Sequence, residues 1–125
     1  EERIEAIQFA RPTGDFYFNF EKVCKRTHLD IASVNTALSL QVSGGRIVAA
    51  HLAAGGVAPI PMYLGRTAAF LQGKNLETWR EWLREAQDLL LAEVSPISDV
   101  RGSADYKRLL LKQLFHAHLK EIHAL

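Results

Sequence analysis

The chain has 125 residues, an apolar share of 48% and a formal net charge of +1 at pH 7. That is long enough for one hydrophobic core and too apolar for disorder, and the near balance of acids and bases argues against a polyanion-binding surface, so no nucleic-acid partner is expected. A single cysteine, Cys24, excludes an internal disulfide and suits a reducing compartment such as the cytoplasm, and no apolar run reaches the roughly 18 residues of a spanning helix, so no membrane partner is expected either.

The opening Glu1-Glu2-Arg3 lacks both an initiator methionine and the basic-then-apolar order of a signal peptide, and it reads as the interior of a longer polypeptide. Ile4, Ala6 and Gln8 then alternate with Glu5, Ile7 and Phe9, which predicts a short strand, and Arg11-Pro12-Thr13-Gly14-Asp15 has turn chemistry. Phe16, Phe18 and Phe20 recur at period two and predict a strand with an aromatic face, expected in the core. From Ile31 to Val42 the alternation is the clearest in the chain. Ala32, Val34, Thr36, Leu38, Leu40 and Val42 share one face, against the wetter Ser33, Asn35, Ala37, Ser39 and Gln41. Ser43-Gly44-Gly45-Arg46 supplies a hairpin turn, and Ile47 to Ala54 returns as the partner strand with Val48 and Leu52 apolar on one side.

Gly55-Gly56-Val57-Ala58-Pro59-Ile60-Pro61 cannot extend a regular element and predicts a turn and an extended connection. A short helix is predicted over 64–71, stopping at Gly73. Asn75 is placed as N-cap of a longer helix over 76–94, whose Leu76, Trp79, Leu83, Ala86, Leu90 and Val94 recur at spacings of three and four. Pro96 blocks helix continuation, Gly102 permits a tight turn, and Ser103 caps a last helix running to about Ile122, with Asp105 favourable in its first turn. Tyr106, Leu110, Leu114, His118 (or Leu119) and Ile122 form its expected buried stripe. Strands first and helices after predict an α+β fold: an antiparallel sheet of three to four strands covered by about three helices.

Chemistry-bearing residues are few. Lys22-Val23-Cys24-Lys25-Arg26 is a basic cluster between two strands, either a solvated edge that discourages sheet pairing or an anion or cofactor site at Lys22 and Arg26. Cys24 beside Lys25 and Arg26 could favour a thiolate, but no general base accompanies it, so a buried inert cysteine is the expected state. His116, His118 and His123 lack the partners of a structural zinc site, and on a helix only His116 and His123 share a side, so no metal is expected. His51 is read as a packed or surface histidine. Gly55-Gly56 lacks the spacing of a nucleotide-binding loop.

Three segments, in order, carry a resemblance. They are Phe20-Glu21-Lys22-Val23-Cys24-Lys25-Arg26 with Asp30-Ile31-Ala32-Ser33-Val34; Ala54-Gly55-Gly56-Val57-Ala58-Pro59-Ile60-Pro61 with Leu71-Gln72-Gly73-Lys74; and the run from Pro96 to Arg108, worded Asp99-Val100-Arg101-Gly102-Ser103-Ala104-Asp105-Tyr106 at its centre. Together they resemble the C-terminal domain of the FAD-binding subunit of molybdenum hydroxylases, the xanthine dehydrogenase and carbon monoxide dehydrogenase flavoproteins. The resemblance implies a component of an oxidoreductase in which a molybdenum cofactor hydroxylates a carbon and iron–sulfur clusters relay electrons to FAD, which passes them to NAD or another acceptor. It implies molybdenum-binding and iron–sulfur subunits or domains as partners, and FAD pyrophosphate loops in domains outside this chain, so the chain alone is expected to be colourless and inactive. It places Lys22 at the flavin and Ile4 with its backbone near the isoalloxazine; Arg26 is expected to order the Lys22 loop, and Asp99 and Arg101 to pin their turn against the sheet through charge-assisted hydrogen bonds. Leu29, where animal members have an acidic residue, and Tyr63 and Ala68, where many bacterial members have arginine and glutamate, depart from the family pattern. The alternative reading is a subunit-interaction domain without a cofactor role.

Overall fold

The computed structural model describes residues 2–9, 11–27 and 30–124. Four strands, β1 (Asp15–Val23), β2 (Val34–Ser43), β3 (Arg46–Gly55) and β4 (Met62–Tyr63), form one antiparallel meander in the order β1-β2-β3-β4. Three helices follow: α1 (Gly65–Leu71), α2 (Trp79–Ala92) and α3 (Ala104–Ala124). They cover one face of the sheet, α1 against β3 and α3 against β1 and β2, with α2 packed on both other helices. The expected α+β arrangement is the observed one.

β2 organises the sheet. Val34, Thr36, Leu38, Leu40 and Val42 all point into the core, where they meet Leu52, Trp79, Phe115 and Leu119. The β2–β3 turn places Gly44 and Gly45 at φ 56° and 74°, the double left-handed geometry whose twist matches the flanking strands. Beyond it the ladder jumps from Val42↔Ile47 to Gln41↔Ala49, leaving Val48 as an extra residue. This bulge corrects the expected strand face: Ile47 takes the core position beside Ala50 and Leu52, and Val48 is turned to solvent.

The aromatic stripe of β1 also lies on the other side from that expected. Phe18 pairs with Ser39 and Phe20 with Ala37, residues of the β2 face that the helices do not cover. Phe16, Phe18 and Phe20 are therefore 38%, 62% and 52% exposed, while Tyr17, Asn19, Glu21 and Val23 face the helices. Residues 2–9 carry no regular secondary structure, so the strand expected from their alternation is absent, and Ile4, Ile7 and Phe9 are exposed.

The helices begin and end for local reasons. The first N–H groups of α1, at Arg66 and Thr67, donate to the Glu93 carboxylate at 2.9 and 2.8 Å, which satisfies donors that a helix start otherwise leaves open. Asn75 does not cap α2, which starts at Trp79. Its side-chain oxygen instead accepts the Glu77 N–H at 2.9 Å and closes a turn that is bridged to Arg46. Trp82 takes the buried position expected of Leu83, which is only half-buried. In α3, Ser103 caps as expected, its hydroxyl accepting the Tyr106 N–H at 3.1 Å. The buried stripe, however, starts at Lys107 and continues through Leu111, Leu114, Phe115, His118, Leu119 and Ile122, with Tyr106 exposed. No described helix is long and apolar enough to cross a membrane.

Candidate functional site

Lys22 follows Phe20 by two residues, so it ends the aromatic stripe on the uncovered face of the sheet. Its amine donates to the carbonyl oxygen of Asp30 at 2.7 Å. The intervening loop is closed on itself by short polar contacts. The Arg26 backbone N–H donates to the Asp30 carboxylate at 2.9 Å, and the Arg26 guanidinium lies 3.5 Å from the other oxygen. Cys24 is half-buried and not fully buried as expected, and its thiol donates to the Arg26 carbonyl at 3.0 Å. Burial pushes the Asp30 carboxyl up, but the Arg26 N–H, the Arg26 charge and the Ile31 N–H outweigh it and hold Asp30 below its ordinary value.

The turn between α2 and α3 docks on this loop. Its closure is internal, because Asp99 and Gly102 exchange backbone hydrogen bonds at 3.1 Å and the Asp99 carboxylate accepts the Arg101 N–H at 2.8 Å. The other Asp99 oxygen accepts from the Lys107 ammonium at 2.7 Å, and Lys107 also donates to the Ile97 carbonyl at 2.9 Å. Lys107 is 3% exposed, a buried cation made tolerable by these two acceptors. The Lys107 hydrogen bond, then the Arg101 N–H, hold the Asp99 carboxyl below its ordinary value. From the turn, Arg101 reaches the Ile31 carbonyl at 3.0 Å and lies 3.8 Å from the Asp30 carboxylate. In return the Ser33 hydroxyl donates to the Arg101 carbonyl at 2.9 Å, and Lys25 donates to the Val100 carbonyl. Arg101 thus pins the turn to the segment entering β2, as expected, while Asp99 pins it to α3 and not to the sheet. A cavity of about 210 Å³ remains between Ser33, Gly56, Ile97, Asp99, Arg101 and Lys107.

Residues 19–122 match the family model described as the CO dehydrogenase flavoprotein C-terminal domain. The chain belongs to that family. It is similar to the carbon monoxide dehydrogenase medium chain of Afipia carboxidovorans, 32% identical over 106 residues that cover 85% of this chain and 36% of that protein. It is also similar to the glyceraldehyde dehydrogenase medium chain of Sulfolobus acidocaldarius, 29% identical over 115 residues, or 92% of this chain and 40% of that one. Among solved structures, CO dehydrogenase from Oligotropha carboxidovorans matches with a TM-score of 0.80 at 26% identity, over 90% of this chain and 38% of that one. Quinoline 2-oxidoreductase from Pseudomonas putida 86 matches with a TM-score of 0.76 at 28% identity, over 89% and 38%. The chain therefore spans less than half the length of these relatives.

Within this flavoprotein domain the structure brings Lys22 together with Arg26, Asp30 and Arg101. Ile4 is not joined to them among the described residues: it is 81% exposed and lines a shallow depression with its own neighbours Glu2, Arg3 and Glu5. Asp30, Ser33 and Lys107 were missed by the reading of residue types. A signal for Asp30 existed, since it lies four residues from Arg26 in a basic cluster, whereas Lys107 reads as an ordinary surface lysine until the Asp99 turn is built.

The remaining candidates resolve into packing. Gly55 and Gly56 permit close approach, since a Cβ on Gly56 would lie 2.3 Å from the Ser33 carbonyl oxygen. His51 is exposed on β3, its Nδ1 3.0 Å from the Tyr63 hydroxyl, and Tyr63 is exposed on the uncovered face. Ala68 is a buried residue of α1. The His116 ring lies tilted against Trp79, and buried His118 bonds Thr36. No group of three potential metal ligands occurs among the described residues. Leu29 lies outside the described residues.

Proposed function

We propose that this domain closes over the ring of an FAD held by the rest of a medium subunit in a CO dehydrogenase-like or xanthine dehydrogenase-like molybdenum hydroxylase of the cytoplasm. Lys22 is the residue it contributes. The observation that carries this reading is the location of an anchored ammonium at the end of an exposed aromatic stripe, on the one sheet face the helices leave open. Such a surface suits a planar, partly apolar ring that gains negative charge on reduction. Gly55 and Gly56 lie close against Asn35 and Ser33, and the pyrophosphate is assigned, as the family resemblance implies, to domains outside this chain. When bound, the flavin supplies the transfer of electrons from iron–sulfur clusters to NAD or another acceptor. Lys22 supplies a fixed positive charge beside it, which stabilises the reduced ring relative to the oxidised one. Ile4, preceding the sheet on an exposed segment, is assigned the weaker role of a backbone neighbour to the ring. Molybdenum-binding and iron–sulfur subunits or domains are the partners this reading requires.

The test is Lys22→Met in the complete medium subunit. A charge-assisted hydrogen bond is worth about 1.5–3 kcal/mol, so its loss in a two-electron couple lowers the FAD reduction potential by about 30–65 mV. Spectroelectrochemical titration reads that shift directly. An unchanged potential together with unchanged FAD affinity removes Lys22 from the site.

A further inference from the structure

We propose that Arg101 is a positioning residue for Lys22: it fixes the Asp30–Ile31 backbone whose carbonyl anchors the lysine amine. The proposal rests on the reading of Lys22 given above for its functional meaning, but the anchoring itself stands on geometry. A lysine at the end of an exposed strand face is free to sample many rotamers. Here its Nζ is held at 2.7 Å by the Asp30 carbonyl, in a loop whose described residues carry no regular structure of their own.

That carbonyl is held in place from outside the loop. The next carbonyl along, Ile31, accepts the Arg101 Nη1–H at 3.0 Å, and the same nitrogen lies 3.8 Å from the Asp30 carboxylate. The Asp30 side chain is 9% exposed, so the two guanidinium groups and the Arg26 N–H surround a carboxylate largely withdrawn from water. Arg101 is aimed in turn: Asp99 accepts its N–H at 2.8 Å, and the Ser33 hydroxyl holds its carbonyl at 2.9 Å. Asp99 is fixed to α3 through Lys107 at 2.7 Å. A continuous set of polar contacts therefore runs from a buried residue of α3 to the exposed lysine.

Closure of the turn does not require this reach. The paired backbone bonds of Asp99 and Gly102, with the Asp99–Lys107 pair, already lock it. The Arg101 side chain spans to another segment, where one guanidinium nitrogen holds the Ile31 carbonyl and stands beside the Asp30 carboxylate; a shorter-reaching lysine point charge performs that task only in part. The role of the distinctive turn is therefore to hold Lys22 still.

The experiment uses the complete medium subunit with two readouts. The first is the acetylation rate of Lys22 by acetic anhydride, read by peptide mass spectrometry against exposed Lys120 as internal reference. Loss of one anchoring hydrogen bond predicts a rate about fivefold higher in Arg101→Met and an intermediate rate in Arg101→Lys. The second is the FAD potential. Arg101→Met shifts it in the direction of Lys22→Met, and Lys22→Met/Arg101→Met lies no lower than Lys22→Met alone. A folded Arg101→Met subunit with wild-type Lys22 reactivity overturns the proposal. Faster acetylation with a potential indifferent to Lys22→Met overturns the flavin reading instead and leaves the anchoring intact. Should Arg101→Met not fold, Ser33→Ala releases only the Arg101 carbonyl: about twofold faster acetylation supports the proposal, and no change overturns it.

Discussion

Gly56→Ala is expected to destabilise the domain by about 2–5 kcal/mol, combining a left-handed backbone cost of about 1–2 with an overpacking cost of about 1–3. Gly56 sits at φ 80°, where the added methyl would lie 2.3 Å from the Ser33 carbonyl oxygen and 3.4 Å from the Val34 Cα. Both are backbone atoms at the start of the central strand, where Ser33 also donates to the Val23 carbonyl at 2.7 Å. Neither can retreat without opening the β1–β2 ladder. Gly73 provides the internal control, with φ 81° and nothing within 4 Å of a built Cβ. Gly73→Ala should therefore show only the backbone cost, about 1–2 kcal/mol. Urea denaturation of the two variants separates strain from collision. Equal midpoints would show that the approach to Ser33 relaxes and that the close contact has no energetic weight.

The same crossing at Ser33 illustrates what the sequence does and does not disclose. The alternation of Val34, Thr36, Leu38, Leu40 and Val42 is legible because β2 is central and buried on one face only, so burial and period coincide. The β1 stripe is legible as a strand but not as a face. Three phenylalanines outweigh Tyr17, Asn19, Glu21 and Val23 on any hydrophobic scale, yet the register with Ser39 and Ala37 places them on the open side. That inversion is itself informative, because large exposed rings in a row mark a surface meant to be covered. The bulge at Val48 is illegible for a related reason. One extra residue flips every later side chain, and no local residue type announces it.

The candidate site was legible in part. Lys22 could be singled out with its basic neighbours, and the wording from Pro96 to Arg108 identified the family, but the connection between them is tertiary. Asp30, Ser33 and Arg101 meet only once the α2–α3 turn is docked on the loop after β1. Lys107 and Tyr106 show the same limit. Residue type favours burying the tyrosine, and the Asp99 carboxylate across the turn reverses that choice by supplying the ammonium with a partner.

His118 predicts a pH dependence that the surface composition does not suggest. It is fully buried in α3, with Nε2 2.7 Å from the Thr36 hydroxyl oxygen and Nδ1 without a partner. Burial lowers its pKa from 6.5 to about 4, and the Glu21 charge offsets this only in part. An imidazolium there would need acceptors for two N–H groups, and the pocket supplies one. Between pH 4 and 6.5 the unfolded chain therefore binds more protons than the folded one, so stability rises with pH across this window. It is fully present above 6.5 and is lost as pH falls toward 4. The loss is about 2 kcal/mol at pH 5 and approaches about 3 kcal/mol below pH 4. Urea midpoints at pH 7, 6 and 5 measure the slope. Thr36→Val/His118→Leu replaces the pair by apolar groups, leaving no imidazole at this buried position, and should flatten the curve between pH 5 and 6.5. If the double variant keeps the wild-type slope, the proton is taken up elsewhere, and the buried histidine is not what couples this fold to pH.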